Sequence, residues 1–112
     1  MIDLTDKIAV VTGGAQGIGK AVAETLAQRG ANIVVADLQL EKAENVAQEI
    51  AANTGNKAIA VQVDVSDSES AQAMIDAAIA EFDRVDILVN NAGITRDNLI
   101  MRMSEDEFDL VI

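Results

Sequence analysis

The stretch Thr12-Gly13-Gly14-Ala15-Gln16-Gly17-Ile18-Gly19 constrains this chain more than any other. It follows the apolar run Ile8 to Val11 and leads into a segment of helical period, so it reads as a strand, a tight glycine turn and a helix start. Glycines let the backbone turn sharply and let a ligand approach the main chain. The free amides at the start of the next helix, aided by its dipole, then face a negative charge. The joint is therefore read as a diphosphate cradle and the chain as a dinucleotide binder. Its spacing is not the common G-x-G-x-x-G, and a purely steric strand-to-helix turn is the competing reading.

Four apolar runs, Ile8 to Val11, Ile33 to Ala36, Ala58 to Val63 and Val85 to Val89, alternate with longer helical segments. This rhythm predicts an α/β fold, a Rossmann-like doubly wound parallel sheet with strand order 3-2-1-4 and helices on both faces. In the first helix, Ile18, Val22 and Leu26 share a face, with Gly30 as a C-terminal cap. The second is expected over about residues 41 to 52, burying Ala43, Val46, Ala47 and Ile50, with Gly55 available to end it. Ser66 and Glu69 have capping-box spacing before a third helix carrying Ala71, Ile75, Ala78 and Phe82. Ser104 and Glu107 repeat that spacing, so a fourth helix is expected from about residue 105. The fourth strand would then lie at an open apolar edge, which predicts self-association.

Half of the residues are hydrophobic but only Phe82 and Phe108 are aromatic, a composition suited to parallel strands covered by helices. A formal charge of −11 opposes attraction to nucleic acid and to anionic membranes. No apolar run approaches the roughly 18 residues of a spanning helix, and the first residues lack a secretory pattern, so a cytoplasmic protein is expected. The sequence holds no histidine, cysteine or tyrosine. That removes the residues of soft-metal sites, nucleophilic triads and phenolic proton donors, so neither a catalytic residue nor a metal ligand is assigned. The acidic group Glu105, Asp106, Glu107 and Asp109 reads as a solvated helix start.

Asp37 ends the second strand 18 residues after Gly19, where a carboxylate can accept hydrogen bonds from an adenosine ribose and would repel a 2′-phosphate. Neither Gln16 nor Leu38 offers the positive charge that a 2′-phosphate needs, so NAD is expected ahead of NADP. Alternatively, Asp37 caps the helix that follows. Asp64-Val65 closes the third strand where the adenine would lie, but Asp64 can equally satisfy backbone amides in the turn before Ser66. Asn90-Asn91-Ala92-Gly93 ends the fourth strand with small residues and side-chain amides where backbone and cofactor must pass closely.

Taken together and in this order, the glycine joint, Asp37, Asp64-Val65 and Asn90 to Gly93 resemble the front half of a short-chain dehydrogenase/reductase. Gly93 to Met103 looks like the 3-oxoacyl-acyl-carrier-protein reductase branch. The resemblance implies that Thr12, Gly13, Gln16, Gly17, Ile18 and Gly19 hold the diphosphate. It assigns the adenosine ribose to Asp37, the adenine to Asp64 and Val65, and the nicotinamide-side ribose to Asn90, Ala92 and Gly93, and counts Leu38 among the cofactor-binding residues. It also implies an acyl-carrier-protein or CoA thioester substrate and a homotetrameric parent. The family's serine, Tyr-x-x-x-Lys pair and helix asparagine find no match in residues 1 to 112. The chain is thus read as the cofactor-binding portion of a truncated enzyme, inactive by itself. Biosynthetic members usually take NADPH, from which Gln16 with Asp37 departs. A non-catalytic NAD sensor and an NAD-dependent alcohol dehydrogenase are the rival readings. Arg96 and Arg102 could meet an acidic carrier protein, with plain surface solvation as the default reading, while Met101 and Met103 read as packing or subunit-contact residues.

Overall fold

Four apolar runs pair in parallel because each is hydrophobic on both sides and can only be buried between two helical layers. The computed structural model describes residues 3–91 and 110–111. In chain order the elements are β1 (Ile8–Thr12), α1 (Gly17–Gln28), β2 (Asn32–Asp37), α2 (Leu40–Thr54), β3 (Ala58–Gln62), α3 (Ser68–Phe82), β4 (Ile87–Asn90) and β5 (Leu110–Val111). The sheet order is β3-β2-β1-β4-β5, which contains the expected 3-2-1-4. Val10 sits beside Val34 on one side and Leu88 on the other, so β1 is the centre of the sheet.

Period-two alternation divides the core. Ala9, Val11, Ile33, Val35, Ile87 and Val89 pack against α1 and α2, whose contributions include Ala23, Ala27, Val46 and Ile50. Val10, Val34, Ala36 and Leu88 face the opposite way, toward Met74, Ile75 and Ala78 of α3. Helices on both faces make the sheet doubly wound. Its parallel strands all deliver their C-terminal ends to one rim, where the crevice of such folds lies.

The helix ends have local causes. Gly30, at φ 105°, follows α1 and donates to the Ala27 carbonyl, while Ala31 donates to that of Leu26, completing a Schellman cap. Gly55 closes α2 in the left-handed region. The N-cap of α3 is Asp67, not the expected Ser66, and its carboxylate accepts the Glu69 N–H at 3.0 Å. Ser66 is otherwise engaged, its hydroxyl donating to Asp64 Oδ1 at 2.6 Å.

Three further expectations are corrected. Ile18 is not a core residue of α1: it is 74% exposed, and the buried positions are Gly19, Ala23 and Ala27. Small side chains let this helix lie close to the sheet, which rotates Ile18 outward; Val22 and Leu26 only border the core. The edge of β4 is not open along its whole length, because Leu110 and Val111 pair with Ile87 and Leu88. An apolar parallel edge presents unpaired backbone groups, and β5 supplies partners for them. Finally, the helix expected from residue 105 does not run through Leu110–Val111, which is extended. Residues 92 to 109, with Arg96, Met101, Arg102, Met103 and Ser104, lie outside the described residues.

Candidate functional site

The rim formed by the C-terminal ends of β1 to β4 gathers, among the described residues, the glycine loop, Asp37, Leu38, Asp64, Val65 and Asn90. The glycine loop rises from β1 with Gly13 at φ 65° and Gly17 at φ 59°, left-handed backbone that other residues adopt only with strain. Gly19 is needed for a different reason. A Cβ there would fall on the Gly13 carbonyl and 2.7 Å from Asn91 Nδ2, so the first turn of α1 can nest on the loop only without a side chain.

The start of α1 is built to leave donors free. Gln16 is its N-cap, in extended conformation and with no side-chain capping bond, and the first turn holds no acidic residue. By contrast, α2 and α3 carry Glu41 and Glu69 in their first turns. The first amides of a helix have no intrahelical acceptor. At Gly17, Ile18 and Gly19 they present partial positive charge, in a chain of strongly negative charge, without competition from a side-chain carboxylate.

Thr12 is buried, and its hydroxyl turns into the sheet. It lies 3.2 Å from Asn90 Oδ1 and 3.3 Å from the Val89 carbonyl as donor, and accepts the Asn91 N–H at 3.0 Å. The side chain therefore joins the end of β4 to the loop and does not reach into the crevice. Asn90 stands half-buried beside it, while Ala92 and Gly93 lie outside the described residues.

Asp37 does not cap α2 in the expected alternative sense, since Gln39 is the N-cap and that helix has no side-chain capping bond. Its carboxylate instead accepts the Gln39 N–H at 3.0 Å and the Ala15 N–H of the glycine loop at 3.1 Å. Asp64 takes the part expected of it in the turn before Ser66. Its Oδ1 accepts the hydroxyl and the backbone N–H of Ser66, satisfying the turn, and the residue also lines the cleft. The Ser66 hydroxyl, and secondly its N–H, hold the exposed carboxyl of Asp64 below the usual carboxylate range.

A cleft of about 230 Å³ opens between these strand ends, lined by Gly13, Asp37, Leu38, Val63, Asp64 and Val65. The sequence singled out all of these but Val63. The large hydrophobic side chains most exposed among the described residues border the same rim: Ile18 at 74% and Leu38 at 63%. Apolar surface in such a place suits the faces of a heterocycle and sugars. No group of three or more metal-ligating side chains occurs among the described residues, and none of their helices is long and apolar enough to cross a membrane.

Sequence reading overlooked Asp86. It is 7% exposed, accepts the Ile8 N–H at 2.8 Å and Arg84 Nε at 2.9 Å, and donates its own N–H to the Ile8 carbonyl. It clasps the starts of β1 and β4, at the opposite end of the strands from the crevice. The available signal was a lone carboxylate between Val85 and Ile87, since a charge inside an apolar run has to find partners.

Residues 7–112 match the family model described as short chain dehydrogenase. The chain is 43% identical over 109 residues to a 3-oxoacyl-(acyl-carrier-protein) reductase of Chlamydia muridarum, covering 97% of this chain and 44% of that protein. It is 49% identical over 107 residues to the enzyme of the same name from Staphylococcus aureus, covering 95% and 43%. It thus spans less than half the length of these curated relatives. The crystal structure of a hydroxysteroid dehydrogenase from Escherichia coli superposes with a TM-score of 0.77 at 41% identity, over 82% of this chain and 39% of that one.

Proposed function

Since the chain belongs to the short chain dehydrogenase family, we propose that its crevice binds a nicotinamide dinucleotide for an oxidoreductase acting between a carbonyl and an alcohol. The observation that carries this reading is the convergence of the uncapped start of α1, the Asp37 carboxylate and the cleft on one rim of the sheet. The residues fit the group. A cradle that a Cβ at Gly19 would fill, main-chain donors for a diphosphate and a carboxylate for sugar hydroxyls are the chemistry it requires.

In this reading Gly13, Gln16, Gly17, Ile18 and Gly19 hold the diphosphate, and Thr12 supports them by fixing the end of β4. Asp37 and Leu38 receive the adenosine ribose, Asp64 and Val65 flank the adenine, and Asn90, Ala92 and Gly93 serve the nicotinamide-side ribose. A bound nicotinamide supplies or accepts hydride; the protein orients it and excludes water. The carboxylate of Asp37, with Gln16 and Leu38 where a cation would be needed, favours NAD over NADP.

We propose a 3-oxoacyl thioester as substrate, reduced to the 3-hydroxyacyl thioester, on the strength of the relatives' names. Residues 1–112 form the cofactor-binding part. The sequence holds no tyrosine, histidine or cysteine to deliver a proton to the substrate oxygen, so the chain alone should show no turnover. Titration calorimetry tests the first layer: NAD should bind more tightly than NADP, and Gly17→Val should abolish both. Equal binding by Gly17→Val overturns the cradle. An assay with an acetoacetyl thioester and NADH tests the second, and turnover above background refutes inactivity. Self-association is proposed as well, supported by a shallow apolar groove on α1 lined by the exposed Ile18 and Ala21 and the half-buried Val22 and Leu26. A monodisperse monomer in sedimentation at tens of micromolar, the range of ordinary weak association, contradicts it.

A further inference from the structure

Both carboxylate oxygens of Asp37 hold main-chain amides, and one of those amides belongs to the glycine loop. Oδ2 accepts the Ala15 N–H at 3.1 Å, and Oδ1 accepts the Gln39 N–H at 3.0 Å. The preceding loop amide, Gly14 N–H, donates to the Ala36 carbonyl at 3.2 Å. The loop is therefore laid against the end of β2 by two successive amides. Packing points the same way: a Cβ on Gly14 would lie 3.2 Å from Val35 Cγ1 and 3.0 Å from the Val11 carbonyl. The Gly14 bond goes to a backbone carbonyl that any residue at position 36 would supply. The Ala15 bond needs an acceptor on the side chain at position 37.

We infer that Asp37 is a positioning residue for the glycine loop in addition to its part as ribose acceptor, a conclusion that rests on the dinucleotide reading above. A carboxylate offers about four acceptor sites, so two main-chain donors leave capacity for two sugar hydroxyls. Through Ala15 the same side chain fixes the loop that leads into α1, and with it where the Gly17, Ile18 and Gly19 amides stand. Asp37 thus contributes to diphosphate binding without touching the diphosphate, by setting the loop before the ligand arrives. A second consequence concerns cofactor choice. Exchanging Asp37 for a small neutral residue, the obvious change to admit a 2′-phosphate, releases the loop at the same time. Selectivity and affinity are coupled in one side chain.

The test separates tether from ribose ligand with two nucleotides, ADP and 2′,3′-dideoxyadenosine diphosphate, the second lacking both hydroxyls. Calorimetry on the chain and on Asp37→Ala should show weaker binding of both. If the released loop is correctly placed about one-tenth of the time, the dideoxy compound loses roughly tenfold in affinity. In the ligand-free protein, exchange of the Ala15 amide should accelerate by about tenfold or more, the expected result of losing a bond to a charged acceptor. Asp37→Asn keeps one acceptor oxygen and should fall between the two; it carries the same comparison should Asp37→Ala unfold. Unchanged affinity for the dideoxy compound, or unchanged Ala15 exchange, overturns the inference. Failure of the parent chain to bind either nucleotide overturns the dinucleotide reading instead, and Ala15 exchange then still decides whether the tether exists.

Discussion

Gly19→Ala adds a single methyl group at a position where two physical effects oppose each other. In the first turn of α1, helix propensity favours alanine over glycine by about 1 kcal/mol. The tertiary structure resists. The new Cβ would fall on the Gly13 carbonyl and lie 2.7 Å from Asn91 Nδ2. Asn91 can rotate away, but the Gly13 carbonyl is backbone in a loop pinned to β2 through Gly14 and Ala15. Overpacking of this kind costs about 1–3 kcal/mol, leaving a net loss of about 0–2 kcal/mol after the propensity gain. At roughly 4–8 °C per kcal/mol for a domain near this size, Tm should fall by between zero and about 15 °C. The effect on ligand should be larger than the effect on stability. Losing one charge-assisted bond to a phosphate removes about 1.5–3 kcal/mol, a factor of roughly ten to a hundred in Kd. Thermal melts followed by circular dichroism, with calorimetry against ADP, measure both. For the melts alone, Gly17→Ala is the control, because no atom lies within 4 Å of a Cβ there and only the φ of 59° opposes it, at about 1–2 kcal/mol. A Gly19→Ala protein that melts above the parent and binds ADP equally well refutes the close nesting of α1 on the loop.

Asp86→Ala should destabilise the chain by about 1–3 kcal/mol in urea unfolding, because the buried Ile8 N–H and Arg84 Nε lose their shared acceptor; an unchanged midpoint would show that the clasp is dispensable. Asp83 ends α3 at φ 71°, so Asp83→Gly should raise stability by about 0.5 kcal/mol, the relief of left-handed strain less the added chain entropy. No rise in the melting temperature would count against that strain. The Asp64 carboxyl is held low in the folded state, so its contribution to stability is fully present above the unfolded pKa and is lost as the pH falls through the folded one, below about pH 4. Ser66→Ala removes the larger of the two bonds responsible and should shift the Asp64 titration upward in carboxyl NMR; an unmoved titration would exclude Ser66 as the cause.

Much of this was legible in the order of residues. Two-sided apolar runs such as Ile33 to Ala36 can be buried only between layers, and a glycine turn joining strand to helix fixes where backbone donors stand free. The first four strands, their order and the place of Asp37 at the end of β2 follow from these local patterns, whereas β5 and the end of β3 at Gln62, two residues before Asp64, do not. Helix periodicity likewise located Ala43, Val46, Ala47 and Ile50, all of them buried. The same periodicity misassigned Ile18, because it reports which residues share a face and not how near that face stands to the sheet. The small residues Gly19, Ala23 and Ala27 settled that question by permitting closer approach.

The chemical identity of the rim was written locally, in residue types at fixed spacings along each β-α joint. Which partner each polar group takes was decided only by the fold, because hydrogen bonds between residues far apart in sequence depend on strands being neighbours in space. Thr12 meets Asn91, Asp86 meets Ile8, and Asp37 meets Ala15 only after β2 and β4 have closed on either side of β1.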